Sequence, residues 1–352
     1  MQKLLIISNF AKTFQIYKTN MPKDKVTNKI SELQNNFIGS DEFRTSIIFQ
    51  TLKSLKLSAN FAEFNFLKKQ GYVFNLVLSV LIWMTIQSMK TVNSSLSELS
   101  ANGIKIKKDV YYRLKNSEKV CWRRILWYVV DKFLQQTQKN SENTLSNNEK
   151  PKSRCLILDD TLLQKTGNKI EKIGKVWDHV KQRAVLGFRL LAAVYFDGTS
   201  AIPVDFSIVR EKGTKSDKPF GMLKKYLRRQ FNKKRAKESE SISRINELDI
   251  SKIELSVQMF LRAVLRGVAI DYVLCDSWFT CSDLISVVRQ KGSHLIGMYK
   301  IVTTKFDYLG KKQSYKQILH LAGKEKRCKK IIYRRVFRQF PLAIRFGLNG
   351  AE

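Results

Sequence analysis

Apolar residues in the first 134 positions recur at helical spacing. Val73, Val77, Val80, Leu81 and Met84 stand four, three, one and three residues apart, a stripe along one helix face. The surrounding stretch, Tyr72 to Met89, is the most apolar of the chain, but Asn75, Ser79, Thr85, Gln87 and Ser88 interrupt it. Its clean apolar blocks are shorter than the ~20 residues that cross a bilayer, so it predicts a buried helix. Asn93 to Leu99 is a polar break with capping residues. Helical runs follow at Lys108 to Leu114 and at Val120 to Leu134, the latter carrying Trp122, Leu126, Val129, Val130 and Phe133. Residues 1–134 thus predict an all-α domain, either a plain bundle or an N-terminal DNA-binding domain. Residues 135–153 carry almost no apolar side chain and predict a polar linker.

Beyond the linker the pattern changes. Arg154 to Leu158 is a short apolar run ending in Asp159 and Asp160. Leu186 to Phe196 and Ala201 to Val209 predict two strands joined by Asp197-Gly198-Thr199-Ser200, where glycine supplies the positive φ of a hairpin turn. Ile253 to Arg266 has helical spacing, Asp271 to Cys275 is a strand ending at Asp276, Asp283 to Gln290 is helical, and His294 to Met298 is a strand. This order predicts a mixed α/β core over residues 154–299, with no internal repeat. Residues 300–352 hold 14 Lys/Arg and three acids, alternate around Ile331 to Arg345, and carry a Gly-Lys-Lys turn at 310–312. They predict a basic β-rich extension.

Charge narrows the function. Sixty-four Lys and Arg against 30 Asp and Glu give a net +34 in 352 residues that are 43% hydrophobic. Such an excess opposes compaction unless a polyanion meets it, and nucleic acid is the obvious one. A general lysine bias adds to the count but leaves the clustering unexplained. Lys224 to Lys237 holds eight Lys/Arg and no acid, while Leu223, Leu227 and Phe231 keep four-residue steps. That predicts a helix with one packed face and one basic face, carrying Lys224, Lys225, Arg228 and Arg229 toward phosphates or toward solvent. Five cysteines (Cys121, Cys155, Cys275, Cys281, Cys328) form no CxxC pair, and there are three histidines (His179, His294, His320). A disulfide framework, a zinc cluster and a Ser-His-Asp hydrolase are therefore set aside, and a reduced cytoplasmic chain without a signal peptide is expected.

The candidate chemistry lies in the acids. Two apolar strands each deliver one at the C-terminal end, Asp160 and Asp276, where ligands of open α/β sheets bind. If the strands are parallel neighbours the acids converge, which is costly unless they share a cation. Oxygen ligands point to Mg²⁺ or Mn²⁺, and a pair of such ions ~4 Å apart can drive phosphodiester cleavage. The alternative is that one or both acids cap turns, which Thr161 and Ser277 would also suit. Asp159 and Asp160 project to opposite faces if the strand continues, and Asp160 is taken as the ligand. Lys165, His179, Lys181 and Arg183 flank it, to grip DNA or to line a solvated loop. Trp177, Trp278 and Phe279 could stack on a base, with core packing the better reading for Phe279.

Leu158-Asp159-Asp160-Thr161, with Lys165 and Gly167 behind it, resembles the first-carboxylate motif of DDE transposases of bacterial insertion sequences, in the group named for insertion sequence four. Val176 to His179, Gly187 to Val194 and Ile202 to Phe206 resemble the stretch that follows it in that group. Cys275-Asp276-Ser277-Trp278-Phe279, 116 residues beyond Asp160, resembles the second motif. The resemblance covers roughly residues 70–352. It implies an RNase H-like mixed-sheet catalytic core with a partial β-rich insertion over 300–352. It also implies two divalent ions on Asp160 and Asp276, and strand cleavage and transfer on double-stranded DNA, transposon ends and target. A homodimer in synapsis and a nucleoid-associated, cytoplasmic protein are implied as well. The group's third carboxylate lies in a Tyr-x₂-Arg-x₃-Glu-x₆-Lys helix. Tyr333 to Arg338 has no glutamate at the required step, and Glu325 and Glu352 are not placed for the role. The expectation is a chain that stops short of that helix and is inactive alone, or a DNA-binding remnant that competes with an intact transposase.

Overall fold

A computed structural model describes Leu55, residues 74–86, 89, 91–101, 105–144 and 153–298, and parts of 305–321. The alternation expected at Ile331 to Arg345 lies outside the described residues. The chain divides into two compact units, Met1–Val120 and Cys121–Glu352.

The described part of the first unit is helical. Helix α1 (Phe74–Ile86) buries Val77, Val80 and Met84, the stripe legible in the sequence. The expected polar break at Asn93 is a 3₁₀ turn (Asn93–Ser95) running directly into α2 (Leu96–Ala101). The expected break is thus helical throughout; just before it the Thr91 hydroxyl accepts the Ser94 N–H at 3.1 Å. Helix α3 (Lys108–Lys115) buries Tyr111 and Leu114. It carries Asp109 in its first turn and Arg113 and Lys115 in its last, the arrangement the helix dipole favours.

The second unit opens with α4 (Trp122–Thr144), which departs from the expected organisation in two ways. Polar residues 135–144 continue this helix instead of starting a linker. Its N-terminal half is also built into the sheet unit: Trp127 and Val130 sit in the main core, and Arg123 is bound to strand residues. The strands are β1 (Cys155–Gln164), β2 (Gly174–Asp178), β3 (Arg183–Phe196), β4 (Ala201–Val209), β5 (Tyr272–Cys275) and β6 (His294–Gly297). β3 lies between β1 on one edge and, end to end, β2 and β4 on the other, all antiparallel. β1 then pairs parallel with β5, and β5 with β6. Four strands joined antiparallel, β1 to β4, continued by two parallel ones, β5 and β6, make the six-stranded mixed sheet of the α/β core expected from the sequence. The hairpin between β3 and β4 forms as expected: Gly198 takes φ 96°, and Asp197 Oδ1 accepts the N–H groups of Thr199 and Ser200.

Helices α6 (Glu240–Glu247), α7 (Lys252–Leu265) and α8 (Ser282–Gln290) complete the layer. Leu255, Met259, Phe260 and Ala263 of α7 and Leu284, Ile285 and Val288 of α8 pack on Leu156, Leu158, Leu191, Ala193, Val273 and Leu295. Alternation along β1 and β3 and 3.6-residue spacing along α7 make this joint possible. Gly187, where β1, β2 and β3 meet, is required by space: a Cβ there would stand 2.5 Å from the Leu163 carbonyl oxygen. In the C-terminal segment, β7 (Lys305–Tyr308) and β8 (Lys311–Ser314) form an antiparallel hairpin turning at Gly310 (φ 75°). Among the described residues no helix is long and apolar enough to cross a membrane.

One buried charge ties the helices to the sheet. Asp205 of β4 has a fully buried side chain that accepts Arg123 Nε of α4 at 2.9 Å and Arg262 Nε of α7 at 2.6 Å. Arg123 also bonds both carboxylate oxygens of Glu247, at 2.7 and 2.8 Å. Removing one partner of such a cluster strands the others, so Asp205→Ala should cost about 3–5 kcal/mol in urea denaturation. Carboxylates in ion pairs also set the acid limit. Burial alone would raise Glu247 and Asp249, but Arg123 and Arg210 respectively hold them below the usual range. Hydrogen bonds from Arg235 and Arg154 lower Glu171 and Asp271. Folded pKa values below unfolded ones give stability that is complete above the unfolded carboxylate range and lost as pH falls through the folded values. The melting temperature should therefore hold near neutrality and drop below about pH 4, as followed by circular dichroism.

Candidate active site

Strand β1 is longer than its sequence pattern predicts, because the antiparallel ladder with β3 runs on to Gln164. Asp159 and Asp160 therefore lie within a strand and not at its end. The parallel ladder with β5 nevertheless stops at Leu158 opposite Cys275. Asp159, Asp160 and Asp276 are thus the first residues beyond it, on adjacent parallel strands. The continued strand sends Asp160 to the face of Leu156 and Leu158 and Asp159 to the other, where its Oδ1 accepts the Asp160 N–H at 2.8 Å.

Asp160 is held by two cations. Its Oδ2 lies 3.2 Å from Arg189 Nε and 3.2 Å from Lys252 Nζ, and its side chain is 9% exposed. Arg189, on β3, also donates to Glu211 Oε1 at 2.8 Å and to the Trp177 carbonyl at 2.6 Å. Lys252 opens α7 directly after its N-cap, Ser251, whose hydroxyl accepts the Glu254 N–H. The same ammonium stands 5.3 Å from the Trp278 ring and 5.6 Å from that of Phe279. Lys252 thereby brings the first acid and the turn carrying the second to one spot.

Asp276 has a turn-capping role as well. Its Oδ1 accepts the Trp278 N–H at 2.8 Å, and its carbonyl accepts the Thr280 hydroxyl at 2.8 Å. Gly297 on neighbouring β6 makes room for this turn, since a Cβ there would meet the Thr280 hydroxyl at 2.3 Å. Cys275 is a small packed residue: burial pushes its thiol up to about 11, so it is protonated at neutral pH.

The other expected residues distribute as follows. Lys165, His179, Lys181 and Arg183 are all exposed, around the end of β1 and the β2–β3 turn. Lys181 is tied to Gln164 at 3.0 Å and to Asp178 at 3.8 Å. Phe279 is fully buried, whereas Trp177 and Trp278 are 41% and 54% exposed and available for contacts. The basic helix is much shorter than predicted. Helix α5 spans Lys224–Arg228, and Phe231 is 60% exposed. The chain leaves the helix because residues 230–235 are fastened elsewhere: Gln230 donates to the Ile173 carbonyl, Phe231 N–H to that of Lys169, and Arg235 pairs with Glu171. Lys224, Lys225, Arg228 and Arg229 remain exposed. Arg189, Glu211 and Lys252 were not singled out from the sequence. Lys252 stands inside a legible Ser251-x-x-Glu254 cap, but its link to an acid 92 positions earlier leaves no local signal.

Divalent-ion chemistry fits the donor set in one respect. Asp160 Oδ1 and Asp276 Oδ2 receive no hydrogen bond from the described residues, and both are hard oxygen donors. No group of three or more metal-binding side chains occurs among the described residues.

Residues 132–303 match a family model described as DDE superfamily endonuclease. The matched segment runs from within α4 to beyond β6 and contains both acids. No curated protein matches the sequence. Among solved structures, a Drosophila P element transposase strand transfer complex is similar at 8% identity and a TM-score of 0.29, covering 77% of this chain. This chain spans about half (55%) of that one. A similarity that low assigns no residue here a role.

Arg189 holds together Asp160, Glu211 and the Trp177 backbone while nearly buried. Arg189→Ala should cost about 2–3 kcal/mol in chemical denaturation, more than an exposed arginine such as Arg229 replaced likewise.

Proposed function

We propose that this protein is a transposase of the DDE type that binds double-stranded DNA at insertion-sequence ends and cleaves it with divalent ions. What supports the reading is that Asp160 and Asp276 both follow closely on the end of the β1–β5 parallel ladder, inside the segment that matches a DDE endonuclease family model. The net charge of +34 supports DNA as the partner, together with the exposed Lys165, His179, Lys181, Arg183, Lys224, Lys225, Arg228 and Arg229. In this reading the N-terminal region, residues 1–134, helps to hold the DNA end, and assembly is as a homodimer.

Asp160 and Asp276 would hold Mg²⁺ or Mn²⁺, which would supply water activation and charge stabilisation at the scissile phosphate. Arg189 fixes the Asp160 carboxylate from one side, with Glu211 and the Trp177 carbonyl fixing Arg189. Lys252 balances the charge of Asp160 and packs beside Trp278, so the first acid and the turn of the second move as one. The turn hydrogen bond to Trp278 N–H leaves the other Asp276 oxygen directed by the backbone.

A second reading is a DNA-binding protein that does not cleave. It is favoured by the two cations already on Asp160 and by the absence of a three-carboxylate group among the described residues. Binding is common to both readings and should weaken steeply with salt, by about 0.9 in log–log slope per phosphate contact. Cleavage separates them. Purified protein is incubated with end-containing DNA and Mg²⁺ or Mn²⁺. Metal-dependent nicking that Asp160→Asn and Asp276→Asn each lower at least about a hundredfold supports the transposase. Binding without nicking supports the second reading, and nicking that survives both substitutions excludes this site.

A further inference from the structure

A pocket of about 340 Å³ opens beside β2, and neither Asp160 nor Asp276 lines it. Leu186 and Met222 line it; Met222 is 5% exposed in a small core with Ile173, Phe188 and Leu248. Leu223 and Tyr226 add apolar wall that is 40% and 37% exposed to solvent. Lys175 and Lys218 also line it, and neither has an ion-pair partner among the described residues. No acid lines it.

The wall is set before any ligand arrives. Phe220 sits at φ 57°, its N–H bonded to the Lys212 carbonyl at 2.7 Å and its ring 3.4 Å from the Arg210 guanidinium, which pairs with Asp249. Gly221 (φ 69°) then crosses the Lys175 stem so closely that a Cβ would stand 2.8 Å from the Lys175 Cβ. A ligand therefore pays little to order this loop.

An apolar cleft with an aromatic edge and paired cations suits a planar apolar body with an anionic tail, the build of a nucleotide. A base stacked in a duplex has both faces covered, so the occupant must be unstacked. We infer that this pocket is a subsite for one unstacked nucleotide of a DNA strand, with the base against Tyr226 and Leu223 and its phosphate between Lys175 and Lys218. The inference rests on the DNA reading above and adds a second contact point away from the acids.

The test uses the full chain and two probes, a paired duplex and the same duplex carrying one extrahelical 2-aminopurine. Wild-type protein should prefer the second by about tenfold and quench its fluorescence, as stacking on an aromatic ring does. Tyr226→Ala should abolish preference and quenching while holding paired-duplex affinity within about twofold, and Tyr226→Phe should restore both. Leu223→Ala, also at an exposed position, should weaken the preference in the same sense. Lys175→Gln with Lys218→Gln should lower the salt slope for the extrahelical probe by about one to two. Salt-dependent binding of the paired duplex with no preference in wild type, or a preference that survives Tyr226→Ala, overturns the subsite alone. Failure of wild type to bind either probe overturns the DNA reading, and the subsite with it.

Discussion

Strand β1 is bonded on one edge to β3 and on the other to β5, and the rest of the sheet unit hangs on that double pairing. The antiparallel edge is long, ten residues in register, and keeps β1 extended past its apolar run. The parallel edge is short and ends at Leu158 opposite Cys275, because Asp276 turns the chain away. The two ladders differ in length, so a gap opens at their common end. Asp160 and Asp276 follow closely on that end, while Asp159 faces the other side of the sheet. A parallel pair requires a crossover connection, here a long one carrying α5, α6 and α7, and this is how acids 116 residues apart become neighbours.

Charge is used in two opposite ways. Inside, Asp205 and Glu247 are neutralised by Arg123 and Arg262 in fixed geometry, which locks α4, α6 and α7 against β4. Outside, among the described residues, Lys181 and Arg183 at the β2–β3 turn and Lys224, Lys225 and Arg228 on α5 stand exposed to solvent. The site lies between these regimes. Asp160 is nearly buried and doubly paired, while Trp278, beside the same lysine, is more than half exposed. A carboxylate so placed is rigid on its protein side, which is what a positioned ligand needs.

Much of this was legible in the sequence. The order strand, hairpin, helix, strand, helix, strand from residue 154 to 298 is written in the local periodicities and in the Asp197-Gly198 turn. So are the α1 stripe, the burial of Phe279 and the two acid-ended runs. Each is a short-range signal: apolar spacing, a turn glycine, a cap. Even the resemblance to DDE transposases rests on such short motifs in a fixed order.

Other features were decided in three dimensions. The basic run at 224–237 has helical spacing, yet it leaves the helix after Arg228 because residues 230–235 are bonded to the 169–173 loop. Polar residues 135–144 read as linker, yet they extend a helix whose other end is packed in the core. Lys252 and Arg189 look like ordinary members of a cap and a strand until the fold sets both on Asp160. The sequence by itself determined the apolar centres of the α1 helix and of the strands and helices from residue 154 to 298 and the acids that follow two of them, because those depend on neighbours in the chain. Which strand adjoins which, which face each acid takes and which cations meet it were decided by tertiary pairing, because those energies arise between residues dozens of positions apart.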